Sequence, residues 1–354
     1  MMSRSSIVCG ALFLCAALST ATVGKAEIKL VAGPLETTGS FHLKDKTRKS
    51  LSGVACPVEK SDGRHVCLVA FDEHAEARTI EIDENSYKAN KSPIVLDPSH
   101  EELDAEAVTA DDRFYYVTGS YANKRKDCDV NEASRRVFRI AYDHDTGLPR
   151  VGANGVPKKI DSEIDLSTFL KGDLKNSLGK CLGSKQGGLD IEGLAFYAGR
   201  LFFGLRGPTS AAAGDDVVAY VVEVPITNVD ATKSKALDPF QLKVSPGRAI
   251  RDMAAVDGGI LLLLGPDDDD GPSGWSIARW NVDEAADRGK PVALVDLGEL
   301  DLSNIKRSDG CDERVKPEGM ALLVDPKADK QPYTLAIFSD GMCDGGPLII
   351  QAGH

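Results

Sequence analysis

Five times along the chain a small or acidic residue opens a short run of small and apolar residues, a turn follows, and a more hydrophobic run comes after it. The copies begin at Ser52 (SGVAC), Glu106 (EAVTA), Glu192 (EGLAF), Asp252 (DMAAV) and Glu318 (EGMAL). A unit of this size cannot bury its apolar faces alone, so the copies must stack on one another. Turns such as Asp111-Asp112, Ala198-Gly199 and Gly258-Gly259 lie between aromatic and β-branched runs, which marks hairpins. Second strands are read at HVCLVAF, FYYVTG, LFFGL, ILLLLG and TLAIF, and third strands at ARTIEID, VFRIAYD, VVAYVVEV, WSIARW and LIIQA. Fourth strands are drawn at SPIVLD, VPKKID, PFQLKV and PVALVDL.

Four-stranded units repeated around an axis are the blades of a β-propeller, which is the all-β fold expected here. Five blades are favoured, and six are allowed if the longest repeat, 86 residues, hides an irregular one. The last unit runs out of chain after its third strand, while EIKLVAG near the N-terminus has strand character and no blade of its own. That segment is expected to close the ring as the missing outer strand, which removes an open edge. A pair of β-sandwiches is the competing reading. Helical periodicity is confined to a stretch near 162–175, so an α/β fold is disfavoured.

Arg4, the apolar run Ile7–Leu18 and the small residues up to Ala26 follow the order of a secretory signal peptide. The expected organisation is therefore a signal at 1–26 and a single propeller domain over 27–354, in the periplasm or secreted. Six cysteines lie beyond residue 26, and an even count in an oxidising compartment reads as three disulfides. The blade reading pairs them in sequential order, Cys56 with Cys67, Cys128 with Cys181 and Cys311 with Cys343. A net charge of -12 argues against nucleic acid and against an anionic membrane surface as partners. After signal cleavage no membrane insertion is expected, and the protein should be a monomer that binds a small-molecule ligand or substrate.

In a propeller the innermost strands all start at one face, and second strands return to it. Glu106, Glu192, Asp252 and Glu318 should therefore ring one channel mouth, joined by Asp72, His74, Ser120, Arg206, Asp267 and Asp340 from second-strand ends. Clustered carboxylates need a counter-charge, and several oxygen ligands of variable geometry suit Ca²⁺. Glu106, Glu192, Glu318 and Asp252 are thus the expected metal ligands, with calcium as the cofactor. Arg206, in GLRGP, Asp340 and Ser120 are expected to bind ligand, and His74 and His100 are the candidate general bases. The alternative for each carboxylate is structural, accepting backbone amides of a neighbouring blade. Asp143-His144-Asp145-Thr146-Gly147 fits a hairpin turn better than a calcium loop.

The segments EAVTADDRFYYVTGS, LDIEGLAFYAGRLFFGLRGP, IRDMAAV and KPEGMALL resemble the bacterial domain-of-unknown-function family 3616. More distantly, the Glu-Gly-apolar-Ala pattern is similar to that of phytase-like and SdiA-regulated propellers and of calcium-dependent lactonase propellers. The last likeness implies metal-binding roles for Glu192 and Glu318, with Glu106 next. A basic cluster of the phytate-binding kind is not evident, the nearest candidates being Arg206, Arg248, Arg251 and Lys316. Three functions follow as expectations: a carboxylate-rich, calcium-binding site for a small anionic or carbohydrate ligand; a metal-dependent hydrolase of phosphoesters, lactones or esters, with a two-carboxylate glycosidase as its variant; or a protein-binding scaffold whose carboxylates are structural.

Overall fold

In the computed structural model the described residues are 27–99, 102–152, 154–158, 160–161, 165–183, 186–211, 217–226, 236–268, 271–307, 310–327 and 331–353. The signal segment and His100 lie outside them. Five sheets, each built on an antiparallel blade, account for most of the expected strands. Blade 1 runs outward through Leu51–Glu59, His65–Phe71, Glu76–Ile82 and Tyr87–Ala89. Blade 2 contains Ala105–Ala110, Phe114–Gly119, Val137–Ala141 and Ile160–Asp161. Blade 3 contains Asp190–Tyr197, Arg200–Gly207, Val217–Pro225 and Phe240–Val244. Blade 4 contains Arg248–Val256, Gly259–Pro266, Trp275–Trp280 and Val295–Leu300.

Blade 5 contains Lys316–Val324, Tyr333–Asp340 and Leu348–Ala352, and its outer strand is Ile28–Ala32 from the other end of the chain. Ile28 pairs with Ala352 and Leu30 with Ile350, so the N-terminal strand closes the ring. The five innermost strands pack in sequence order, and that of blade 5 returns to that of blade 1. At this inner contact a Cβ on Gly53 would fall 2.7 Å from the Ala107 backbone, so only glycine fits.

The second strands are continuously apolar because both faces of a blade are covered by neighbours. His65–Phe71 and Gly259–Pro266 are buried at every position. The core is accordingly divided into five clusters, one at each blade interface. The 86-residue repeat holds no sixth sheet among the described residues. It carries a short 3-10 helix, Leu166–Thr168, and an α-helix, Gly172–Ser177, whose Leu166 and Leu174 pack between blades 2 and 3.

Two local expectations change. The fourth strand of blade 1 is Tyr87–Ala89, and only Ile94–Val95 of SPIVLD pairs, beside the start of the third strand. The parallel strands Thr37–Gly39 and Pro291–Val292 cover the outer edges of blades 1 and 3. The disulfides are Cys56–Cys67, Cys128–Cys181 and Cys311–Cys343, as the blade geometry requires. No described helix is long and apolar enough to cross a membrane.

Candidate functional site

Near its start each innermost strand skips one residue in the register with its partner, and this bulge places the site. The residues skipped there are Ser52, Glu106, Glu192, Arg251 and Glu318. A β-bulge breaks the pairing locally and re-aims the extra side chain. Blade 4 thus contributes Arg251, not Asp252, to the ring. The sequence alignment of this blade is off by one residue, because Ile250-Arg251 corresponds to Ile191-Glu192. The Ile that precedes the bulge in blades 3 and 4, Ile191 and Ile250, is the signal in the sequence. Arg206 is itself skipped in the second strand of blade 3, between Leu205 and Gly207.

Asp252 is fully buried and does not line the mouth. Its Oδ1 accepts the N–H of Met253 at 2.7 Å and its Oδ2 that of Met320 at 2.6 Å, and Leu194 N–H is a further donor. The carboxylate joins the inner strands of blades 3, 4 and 5. This is the structural alternative, and it withdraws Asp252 from the expected metal ligands.

Glu106, Glu192, Glu318, Asp72, Arg206 and Asp340 do meet, around a cavity of about 380 Å³ at the channel mouth. Its walls are divided by charge. On one side, Arg206 Nη1 lies 2.8 Å from Glu192 Oε1 and 3.5 Å from Asp190 Oδ2. Arg251 Nε lies 2.6 Å from Glu192 Oε2, close in distance but not aligned as a hydrogen bond, and Arg251 Nη2 bonds Glu318 Oε1. Lys316 Nζ is 2.6 Å from Glu318 Oε1 and 3.5 Å from Asp340 Oδ2, and Arg314 holds Asp340 at 2.8 Å. Burial pushes the Glu318 carboxyl up, but Lys316 and Arg251 outweigh it and hold the group below its ordinary range. Asp190, behind Arg206, is pushed up to about 7 by burial and by Glu192.

On the other side stand Asp72, Asp104 and Glu106, with carboxylate oxygens within 4.8 Å of one another and no ion pair among the described residues. Asp72 follows the second strand of blade 1, where its N–H donates to Ser50 O at 2.9 Å. Asp104 precedes the inner strand of blade 2 in the left-handed region (φ 51°), which Asp tolerates better than most residues. The Ser120 hydroxyl donates to Asp104 Oδ2 and fixes it. Burial, then Asp104, raises the Asp72 carboxyl well above its ordinary range; burial, then Asp72 and Asp104, does the same for Glu106. Asp104 escaped the sequence reading because it lies outside the repeat motif.

The remaining expected residues sit elsewhere. Ser120 is buried behind Asp104, outside the cavity lining. His74 lies off the cavity with Nδ1 4.0 Å from Glu76 Oε2, and Asp267 is likewise outside the lining. Arg248 is paired with Glu299 at 2.7 Å, away from the mouth. Asp143 accepts the N–H groups of Asp145 and Thr146, which is a hairpin turn.

Sheet order and site together define a five-bladed β-propeller with a charge-divided cavity at one channel mouth. The chain belongs to the family described as "Protein of unknown function (DUF3616)", whose profile matches residues 150–341. No curated protein sequence matches it. Among solved structures, the endo-arabinase from Bacteroides thetaiotaomicron is similar at 12% identity and a TM-score of 0.44, over 89% of this chain and 96% of that one. The GH43 endo-arabinanase from Bacillus licheniformis is similar at 11% identity and a TM-score of 0.39, over 90% and 96%. A family 117 glycoside hydrolase from Zobellia galactanivorans is similar at 9% identity and a TM-score of 0.43, over 93% and 90%.

Proposed function

We propose that the cavity binds one divalent cation, calcium by the character of its ligands, at Asp72, Asp104 and Glu106, and uses it to hold a small, strongly polar anionic ligand. The observation that carries this reading is the charge division of the walls. Glu192 and Glu318 already have Arg206, Arg251 and Lys316 as partners, whereas the three adjacent carboxylates opposite have no cationic partner among the described residues. Oxygens within 4.8 Å of each other can share an ion at the roughly 2.3 to 2.6 Å bonds that calcium makes. Eight carboxylates and six cationic side chains line the cavity, and with Arg251 counted against Glu192 and Glu318 the wall still keeps an excess of negative charge.

Among the described residues Leu182 is the one large apolar side chain in the lining and no aromatic ring faces the cavity, so the ligand binds through charge and hydrogen bonds rather than by stacking. A bound cation would polarise an anionic group and lower the pKa of attached water, which makes hydrolysis of a phosphoester, lactone or ester the compatible reaction. Three disulfides fit an oxidising compartment, periplasmic or extracellular.

A second reading is favoured by the carboxyls of Glu106 and Asp72, which burial and neighbouring carboxylates raise well above their ordinary range, so that without a cation they hold their protons more firmly and could act as general acids. Metal analysis of the purified protein and calcium titration by calorimetry, on wild type and on Asp72→Asn, Asp104→Asn and Glu106→Gln, separate the two. The first reading expects binding that all three variants weaken. Absence of calcium, magnesium, manganese and zinc binding in the wild type would overturn it and leave the acid reading.

A further inference from the structure

The blade 4 place in the ring is held by a cation, and its surroundings keep it there. Arg251 is fully buried. It reaches both Glu192 and Glu318, its Nη1 donates to the Pro266 carbonyl at 3.2 Å, and its plane lies over the Trp275 ring, 5.5 Å from the centroid. The indole can lie there because residue 265 is glycine; a Cβ would come within 2.3 Å of the ring. A planar guanidinium with donors on several edges can serve two carboxylates at once, which an ammonium does less well.

The other charges near the pair are accounted for. Glu192 also meets Arg206, with Asp190 behind it. Glu318 also meets Lys316, with Asp340 next to that. Asp72 and Glu106 act on Glu318 through space, from the far wall. In a ring whose bulges otherwise supply a serine and three glutamates, the one-residue register of blade 4 inserts a positive charge between two of the glutamates.

We propose that Arg251 is a built-in counter-cation standing where a metal ion would otherwise bridge Glu192 and Glu318, so that the cavity takes a dication on the blade 1 and 2 side alone. The second half of this statement rests on the cation reading above; the first does not. A guanidinium at that place repels a second dication, and carboxylates freed of it would recruit one.

The test is calcium titration by calorimetry and thermal unfolding of the whole protein as wild type, Glu106→Gln, Arg251→Gln, Arg251→Lys and the Glu106→Gln, Arg251→Gln double variant. Glu106→Gln should weaken calcium binding by about tenfold or more, and adding Arg251→Gln should restore it through Glu192 and Glu318. Calcium should raise the melting temperature of Arg251→Gln by about 3 °C or more beyond its effect on wild type. Arg251→Lys, which keeps the charge, should titrate like wild type.

If Arg251→Gln does not fold in chelator, the readout becomes refolding, which millimolar calcium or guanidinium ion should restore. Failure of both ions to rescue it, or a folded variant whose calcium binding is unchanged, overturns the counter-cation while leaving the Asp72, Asp104 and Glu106 reading intact. Calcium binding by Arg251→Gln but not by wild type has the opposite meaning: Arg251 stands in for the ion, and the cation reading of the far wall fails.

Discussion

Asp252 accepts the backbone N–H of Met320 at 2.6 Å, so a side chain of blade 4 is fastened to the inner strand of blade 5. The same carboxylate takes Met253 N–H at 2.7 Å. Replacing it with alanine leaves buried amide donors without an acceptor, at a cost of roughly 2–4 kcal/mol. Asn should fare little better, because its amide group turns a donor toward a donor. Urea unfolding of Asp252→Ala and Asp252→Asn measures the loss, and a change below about 1 kcal/mol would show that the pin is dispensable. Calcium binding should survive in both.

Glu106 sets a pH dependence of known sign. Its carboxyl is raised in the folded protein by burial and by Asp72 and Asp104. Between its unfolded value, about 4.5, and the higher folded value, the folded state therefore binds the extra proton, and its stabilising effect is lost as pH rises through that window. In chelator, Glu106→Gln should match wild type in stability near pH 4.5 and exceed it as pH rises through that window, as the wild type must ionise a crowded carboxyl. With saturating calcium the order at high pH should reverse. Melting curves over the same pH series decide it; parallel curves for the two proteins would sink the assignment.

Gly265 is expected to matter through Trp275 rather than through its own backbone. A methyl at this position meets the indole ring at 2.3 Å. Gly265→Ala should cost about 1–3 kcal/mol from overpacking and move the indole off Arg251. Near-ultraviolet circular dichroism in a Trp280→Phe background isolates the Trp275 signal, and an unchanged spectrum would contradict the close approach.

Deleting the chain through Gly33 removes the outer strand of blade 5 and exposes the edge of Leu348–Ala352. The truncated protein should lose its single cooperative unfolding transition and self-associate through that edge. Size-exclusion chromatography with light scattering reads this directly; a monomeric, cooperatively melting product would show that the closing strand is ornamental.

The blades were legible in the sequence because hairpin turns and continuous apolar second strands survive long insertions. The disulfides followed, since the blade assignment puts Cys56 and Cys67 on adjacent strands and brings the other pairs to shared loops. What escaped was fine register. A shift of one residue turns a strand's side chains to the opposite face, so reading Asp252 in place of Arg251 exchanged an amide-binding carboxylate for a buried cation. The Asp72, Asp104 and Glu106 grouping was half visible. Glu106 lies in the repeat and Asp72 at a strand end, but Asp104 reaches them through a left-handed backbone turn before its strand, which no spacing rule announces. Ser120 was named for the right neighbourhood and serves there by fixing Asp104.

The pairing of Ile28 with Ala352 also governs the order in which this molecule can be made. Blades 1 to 4 each contain neighbouring stretches of chain and can form from local contacts, whereas blade 5 waits for two segments at opposite ends of the described sequence. Such a high-contact-order seam is slow to close. Until it does, the edge of Leu348–Ala352 stays open, while Lys316, Glu318 and Asp340 already sit on the two adjacent inner strands of that blade, so the last seam to close guards the outer rim and not the site.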